Sequence, residues 1–337
     1  MNAPFPWFGG KSRAAALVWE RFGDVGGYVE PFAGSLGVLL GRPAHHRRAV
    51  ETVNDIDGYI VNFWRAVRAE PLAVAEHCDW PVSELDLTAR HSWLVNEGHE
   101  RLGALQADPE WFDARLAGWW VWGCCAWIGS GWCSGAGPWT PGALRDRKLP
   151  HLGDAGVGVH RQLPHLGDAG MGVHRKLPHL GDAGRGVHRK LPHLGDAGVG
   201  EWLAALSHRL RHVRITCGDW TRVVTPSASR AGGAPIGILL DPPYDVTDAH
   251  HEVYGRNYRG ISAAVREWAL TNGDNPDLRI ALCGYADEHD VPGWTRATWK
   301  ARAGYGPVEN SLRERVWFSP GCLSAPAATL FDDGAAA

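Results

Sequence analysis

Ile236-Gly237-Ile238-Leu239-Leu240-Asp241-Pro242-Pro243-Tyr244 is the stretch that decides how this chain folds. Residues 236–240 form an unbroken apolar run of strand length. That is the pattern of a strand covered on both faces, as in a parallel sheet flanked by helices. An acid at the carboxyl end of such a strand stands at the crevice where α/β sheets bind ligands. The two prolines that follow stiffen the loop and remove its backbone donors. Carbonyl acceptors remain, and these suit an amine that donates hydrogen bonds. Tyr244 adds a flat surface on which a base can stack. An amino nitrogen conjugated to a purine ring is a poor nucleophile. Hydrogen bonds to Asp241 and to the Pro242 carbonyl favour a more tetrahedral nitrogen with its lone pair exposed. The alternative is a Pro-Pro turn with an incidental acid.

Upstream, the same grammar recurs. Residues 12–22 are helix-like, and 28–30 read as a short strand. After Val29-Glu30-Pro31-Phe32-Ala33-Gly34-Ser35-Leu36-Gly37 the apolar residues 36–40 begin a helix. Residues 49–53 read as a second strand ending at Asn54-Asp55-Ile56-Asp57. Ile60, Phe63, Trp64 and Val67 then follow at helical spacing. Strand, glycine-bearing turn, helix and acid-terminated strand make the βαβ unit of a nucleotide-binding sheet. The turn is neither Gly-x-Gly-x-x-Gly nor a nucleophile elbow, since Ala33 stands two before Ser35. Asp55 is placed either to bind ribose hydroxyls or to cap the next helix. Further on, 202–212 read as a helix, 213–217 as a strand leading into Gly218-Asp219-Trp220, 263–270 as a helix and 278–283 as a buried strand.

Between these halves the chain changes character. Residues 71–132 look helical and are rich in tryptophan, and 134–142 are rich in glycine and proline. From Lys148 the sequence repeats with a period of 14, KLPHLGDAGVGVHR, in nearly identical units, the last truncated at Gly200. We read the domains as 1–70 with 201–325 (catalytic sheet), 71–147 (helical target-recognition insert), 148–200 (repeats) and 326–337 (disordered tail). The repeats are either a DNA-contacting extension or a tandemly duplicated solvated insert, and their histidines lack a familiar zinc spacing.

With 337 residues, a formal charge of −3 and no apolar run of membrane-spanning length, the composition is that of a soluble protein. No secretory signal opens it, and seven scattered cysteines without a Cys-x-x-Cys pair fit a cytoplasmic protein lacking disulfides and structural zinc. The charge does not advertise nucleic-acid binding, although a basic footprint can be local. The candidates are His45-His46-Arg47-Arg48, Arg145-Asp146-Arg147-Lys148, and Arg209, Arg211, His212 and Arg214. Eighteen tryptophans either fill core or stack on bases.

Trp7-Phe8-Gly9-Gly10-Lys11, then Glu30-Pro31-Phe32-x-Gly34, Asn54-Asp55-Ile56, Gly218-Asp219-Trp220 and Asp241-Pro242-Pro243-Tyr244 occur in an order that resembles the DNA N6-adenine methyltransferases. The likeness is to the group with cofactor motifs first, target recognition next and Asp-Pro-Pro-Tyr last. Residues 279–285 and 313–320 resemble phage and prophage members. The glycine turn departs from the family, reading Ala-Gly-Ser-Leu-Gly where relatives often carry a Gly-rich or Gly-Ala variant. The resemblance implies a Rossmann-like methyltransferase sheet of α/β class with an inserted, partly helical recognition lobe. It implies S-adenosylmethionine as cofactor, held by Trp7, Lys11, Glu30, Phe32, Gly34, Asp55 and Asp241. Asp219 and Trp220 would lie near its adenine. Asp241, Pro242, Pro243 and Tyr244 would be the catalytic loop, acting on flipped adenine in double-stranded DNA, with no metal. A restriction endonuclease partner, or none in an orphan phage enzyme, follows from the same likeness, and the oligomeric state stays open. Methylation of RNA or of cytosine N4 is the nearer alternative, because related loops serve other planar amines. A dinucleotide-dependent oxidoreductase is the more distant one.

Overall fold

The computed structural model describes residues 1–5, 7, 10–46, 49–127, 132–133, 198–229, 232–244, 260–299 and 314–324. The repeats, the Arg145–Lys148 cluster and the C-terminal tail read from the sequence lie outside them. Seven strands make one sheet: β1 (Gly27–Glu30), β2 (Val50–Asp55), β3 (Arg214–Cys217), β4 (Ile236–Leu240), β5 (Leu278–Tyr285), β6 (Thr295–Thr298) and β7 (Glu314–Phe318). Their order is β3-β2-β1-β4-β5-β7-β6. The first five run parallel, and β7 is antiparallel to both β5 and β6. The chain reverses its direction of winding between β1 and β4, which places a ligand crevice at the carboxyl ends of those two strands.

β4 spans the residues read from the sequence, and all five of its residues are buried. β2 extends beyond that reading, through Asp55, because Asn54 and Asp55 find parallel partners in Thr216 and Cys217 of β3. The hairpin β6–β7 carries little sequence signature. β6, Thr-Arg-Ala-Thr, is an edge strand with mostly exposed side chains, and only the last three residues of β7 are buried. Long-range pairing with β5, rather than local pattern, defines it.

Helices cover the sheet: α1 (Ala15–Phe22), α2 (Gly37–Leu40), α3 (Gly58–Ala69), α4 (Pro71–Cys78), α5 (Glu84–Trp93), α6 (Ala114–Ala126), α7 (Val199–Leu210) and α8 (Ile261–Asn272). Asp57 caps α3 by accepting from Tyr59 N at 2.8 Å, and Asp113 caps α6 by accepting from Leu116 N at 2.9 Å. Each cap satisfies an amide that the helix itself cannot. Asn62 on α3 exchanges two hydrogen bonds with the backbone of Asp113, donating at 3.0 Å and accepting at 2.8 Å. That side chain is fully buried, so it fixes how α6 enters the core. α4 and α7 pack on α3, and α6 packs on both α3 and α4. The helical segment after residue 70 therefore shares one apolar core with the sheet-flanking helices.

The tryptophans explain much of that core. Trp19, Trp64, Trp122 and Trp202 are fully buried, and their ring N–H groups donate to Val38 O, Gly34 O, Trp80 O and Asn2 O respectively. A buried indole gains its large apolar contact only if that donor is paired, and here each one is. Among the described residues no helix is long and apolar enough to cross a membrane.

Candidate functional site

β4 ends at Leu240, and Asp241 is the next residue, at the mouth of the crevice between β1 and β4. Lys11 Nζ lies 2.9 Å from Asp241 Oδ1 and 3.7 Å from Glu314 Oε2. The lysine side chain is 4% exposed, against 20% for Asp241 and 13% for Glu314. The cation is therefore held inside, with the two carboxylates closer to solvent. Burial works against the Lys11 charge, but Asp241 and Glu314 outweigh it and hold its pKa above the ordinary lysine value. Burial raises the Glu314 pKa, Lys11 pulls it back, and the charge of Asp241 adds to the rise.

The Tyr244 hydroxyl donates to the same oxygen, Asp241 Oδ1, at 3.1 Å. Burial and the neighbouring Asp241 charge both raise the Tyr244 pKa, so the phenol keeps the proton it donates. Both donors that the described residues offer thus converge on Oδ1, and none of them is bonded to Oδ2. The Tyr244 ring meets Tyr285 edge-on, with centroids 4.8 Å apart. It also lies 5.2 Å from Lys11 Nζ. Tyr285 ends β5 and pairs with Glu314 across the antiparallel ladder, so β5 and β7 complete the wall beside the loop. Pro242 is buried and Pro243 half-buried.

The turn after β1 forms the other wall. Gly34 has φ of +44°, and a Cβ there would stand 2.5 Å from Trp7 Nε1. The indole of Trp7 lies against the bare backbone, which is why the position takes glycine. Gly34 N donates to Asp55 Oδ2 at 3.0 Å and Asp57 N to Asp55 Oδ1 at 2.9 Å. Asp55 therefore ties β2 to the β1 turn, and the helix cap that the sequence allowed for Asp55 is made by Asp57 instead. Burial, then the charge of Asp57, raises the Asp55 pKa to about 6 against the pull of those amides. Beside it Ile56 is 43% exposed, an apolar side chain facing solvent at a strand end. The sequence places Ile56 within the Asn54-Asp55-Ile56 motif but gives it no role of its own, because a lone isoleucine between two acids has no periodic signal.

Glu30, the last residue of β1, is 3% exposed and accepts from the Tyr28 hydroxyl at 3.0 Å. Burial raises its pKa to about 8, Tyr28 opposes the shift, and the charge of Asp241 adds to it. Phe32 stacks on Trp220, with centroids 6.1 Å apart and planes 30° from parallel. Asp219 is exposed and accepts from Thr221 N at 2.9 Å and from the Thr221 hydroxyl, capping a short turn.

The residues singled out in the sequence thus fall into two neighbouring groups at one end of the sheet: Lys11, Asp241 and Tyr244, and Trp7, Phe32, Gly34, Asp55 and Trp220. Glu314 and Tyr285 join the first group; both lie in segments whose sequence resembles phage members, but that likeness assigns no site role to either. Among the candidate basic residues, Arg209 is committed elsewhere. It binds Glu51 through two nitrogens, at 2.6 and 2.8 Å, and the Leu39 carbonyl at 3.0 Å. No group of three or more His, Cys, Asp or Glu is arranged for a metal among the described residues. No protein-family model and no curated protein matches the sequence.

Proposed function

We propose that this chain is an S-adenosylmethionine-dependent methyltransferase that acts on N6 of adenine in DNA. One observation carries the reading: an Asp-Pro-Pro-Tyr loop at the switch point of a mostly parallel sheet, with the acid's Oδ1 occupied by Lys11 and Tyr244 and its Oδ2 bonded by none of the described residues. An exocyclic amine needs such an acceptor, with a carbonyl beside it. The Pro242 carbonyl follows directly in the chain.

The donor set suits the cofactor. Asp55 ends the second strand, where an acid accepts from ribose hydroxyls. Ile56 and the Phe32–Trp220 pair offer apolar surface for a planar ring. Asp241 and Glu314 flank the buried Lys11 with two carboxylates to its one charge, an acidic setting that favours a cationic ligand. When bound, S-adenosylmethionine supplies a methyl group already activated by its positive sulfur. The chain's own part is positional. Asp241 Oδ2 and the Pro242 carbonyl orient the target amine, Tyr244 supports the base, and the buried walls exclude water. Alignment and a preorganised polar site then supply the rate. Adenine within a duplex is out of reach of such a crevice, so the base must leave the stack.

The sheet also bears on the oxidoreductase alternative. It lacks the Gly-x-Gly-x-x-Gly turn after β1 and inserts an antiparallel strand beside β5, where the dinucleotide order runs 3-2-1-4-5-6. Incubating unmethylated plasmid DNA with the protein and labelled S-adenosylmethionine, then resolving the nucleosides, should yield N6-methyladenine. Label in N4-methylcytosine, or in RNA alone, would redirect the substrate assignment. Asp241→Ala should lose transfer by at least about a thousandfold while keeping its fold, and an active Asp241→Ala protein would overturn the mechanism.

A further inference from the structure

We propose that Glu314 is a positioning residue that takes over Lys11 when the target amine engages Asp241. This rests on the methyl-transfer reading above and extends it to a residue outside every sequence motif of the loop. In the structure Lys11 Nζ sits between two carboxylates at unequal distances, 2.9 Å from Asp241 and 3.7 Å from Glu314. The shorter contact is a charge-assisted hydrogen bond, whereas the longer one is an ion pair with room to tighten. An amine that donates to Asp241 gains most when the carboxylate's charge is least neutralised by its other partners. Lys11 opposes that while it remains on Oδ1. It cannot leave for water, because its side chain is 4% exposed and a buried unpaired ammonium is costly. Glu314 is the second anion within reach, supplied by β7 opposite Tyr285.

Glu314 stays off the reacting atoms, so its removal should slow the chemical step without weakening capture of the cofactor. Glu314→Gln is expected to lower kcat roughly tenfold to a hundredfold. The Kd for S-adenosylmethionine and the KM for plasmid DNA should stay within about twofold, the pattern of an interaction needed only on the way to the transition state. Glu314→Asp keeps the charge but withdraws it by one methylene, and should lose roughly threefold to tenfold in kcat. Thermal melting of both variants identifies any loss that is only unfolding. If Glu314→Gln does not fold, the Glu314→Asp measurement decides alone. Unchanged kcat in whichever variant folds, or a loss carried by Kd or KM, overturns the proposal. Absence of transfer by the wild-type chain would instead sink the methyl-transfer reading itself, so the two failures are separable.

Discussion

The crevice at β4 and the helical segment 71–127 both bury cations, and they hold them by opposite means. In the crevice Lys11 is balanced by Asp241 and Glu314. In the helical segment Arg90 is 8% exposed and lies over aromatic rings, 4.2 Å from the Trp122 centroid, 5.5 Å from Trp119 and 5.9 Å from Trp80. Its Nη1 has no hydrogen-bond partner among the described residues. Arg115 lies over Trp93 and Trp119 in the same manner. Ring faces attract a cation without fixing its hydrogen-bond geometry, whereas carboxylates fix both. The first arrangement is packing, and the second is a charge balance that a ligand can disturb. Segment 71–127 also carries nine acidic residues against three arginines. Its exposed surface is therefore poorly suited to follow phosphates, and the tryptophans that drew attention in the sequence serve chiefly as core.

The sharpest test of this contrast replaces each cation with methionine. Lys11→Met leaves Asp241 and Glu314 facing each other without a counter-ion, and should cost about 3 kcal/mol of stability or more, read from urea denaturation. A stable Lys11→Met protein would mean the two carboxylates are not charge-dependent on it. Next in size is a pH effect at Glu30, whose folded pKa of about 8 exceeds its ordinary 4.5. Below about pH 4.5 it is protonated folded or unfolded, and its favourable contribution is complete. As the pH climbs to about 8 the unfolded chain ionises first, and that contribution is lost. Glu30→Gln has no proton to lose. Its stability relative to wild type should rise between pH 5 and 8, by up to about 1.4 kcal/mol per unit. A pH-independent difference would place Glu30 in a wetter site. Smallest is Arg90→Met: the lost cation–π attraction is offset by relief of a desolvated guanidinium, so stability should move by no more than about 1 kcal/mol. Methyl transfer should not change. A large loss of stability would mean the rings hold Arg90 as tightly as carboxylates hold Lys11.

Much of the sheet was legible because buried parallel strands announce themselves. β4 matched its apolar run to the residue, and β5 outran its reading only by continuing from Cys283 to Tyr285. Helix α3 followed from Ile60, Phe63, Trp64 and Val67, all buried as spaced. What escaped was whatever depends on distant pairing. β7 exists as a strand because β5 offers it a ladder, and Glu314 reaches the crevice only through that register. Asp55 is instructive in a different way. Its sequence position allowed a ligand role or a cap, and the structure gives the cap to Asp57 while setting Asp55 against the Gly34 amide. Two acids two positions apart are indistinguishable by pattern, and only the turn above them tells their tasks apart.

The crevice draws Lys11 from one end of the chain and Glu314 from the other, and α1 is clasped to the far end. Arg21 Nη1 donates to Leu323 O at 2.9 Å, and Leu323 N returns a bond to Arg21 O at 2.8 Å. β1 likewise waits for β4 to gain its second neighbour. Contacts so widely separated in sequence form late, after loop-closure entropy has been met. On the ribosome the N-terminal segment must therefore remain incomplete until the last strands emerge. A chain interrupted before β7 would carry the Asp-Pro-Pro-Tyr loop yet lack the wall that shapes it.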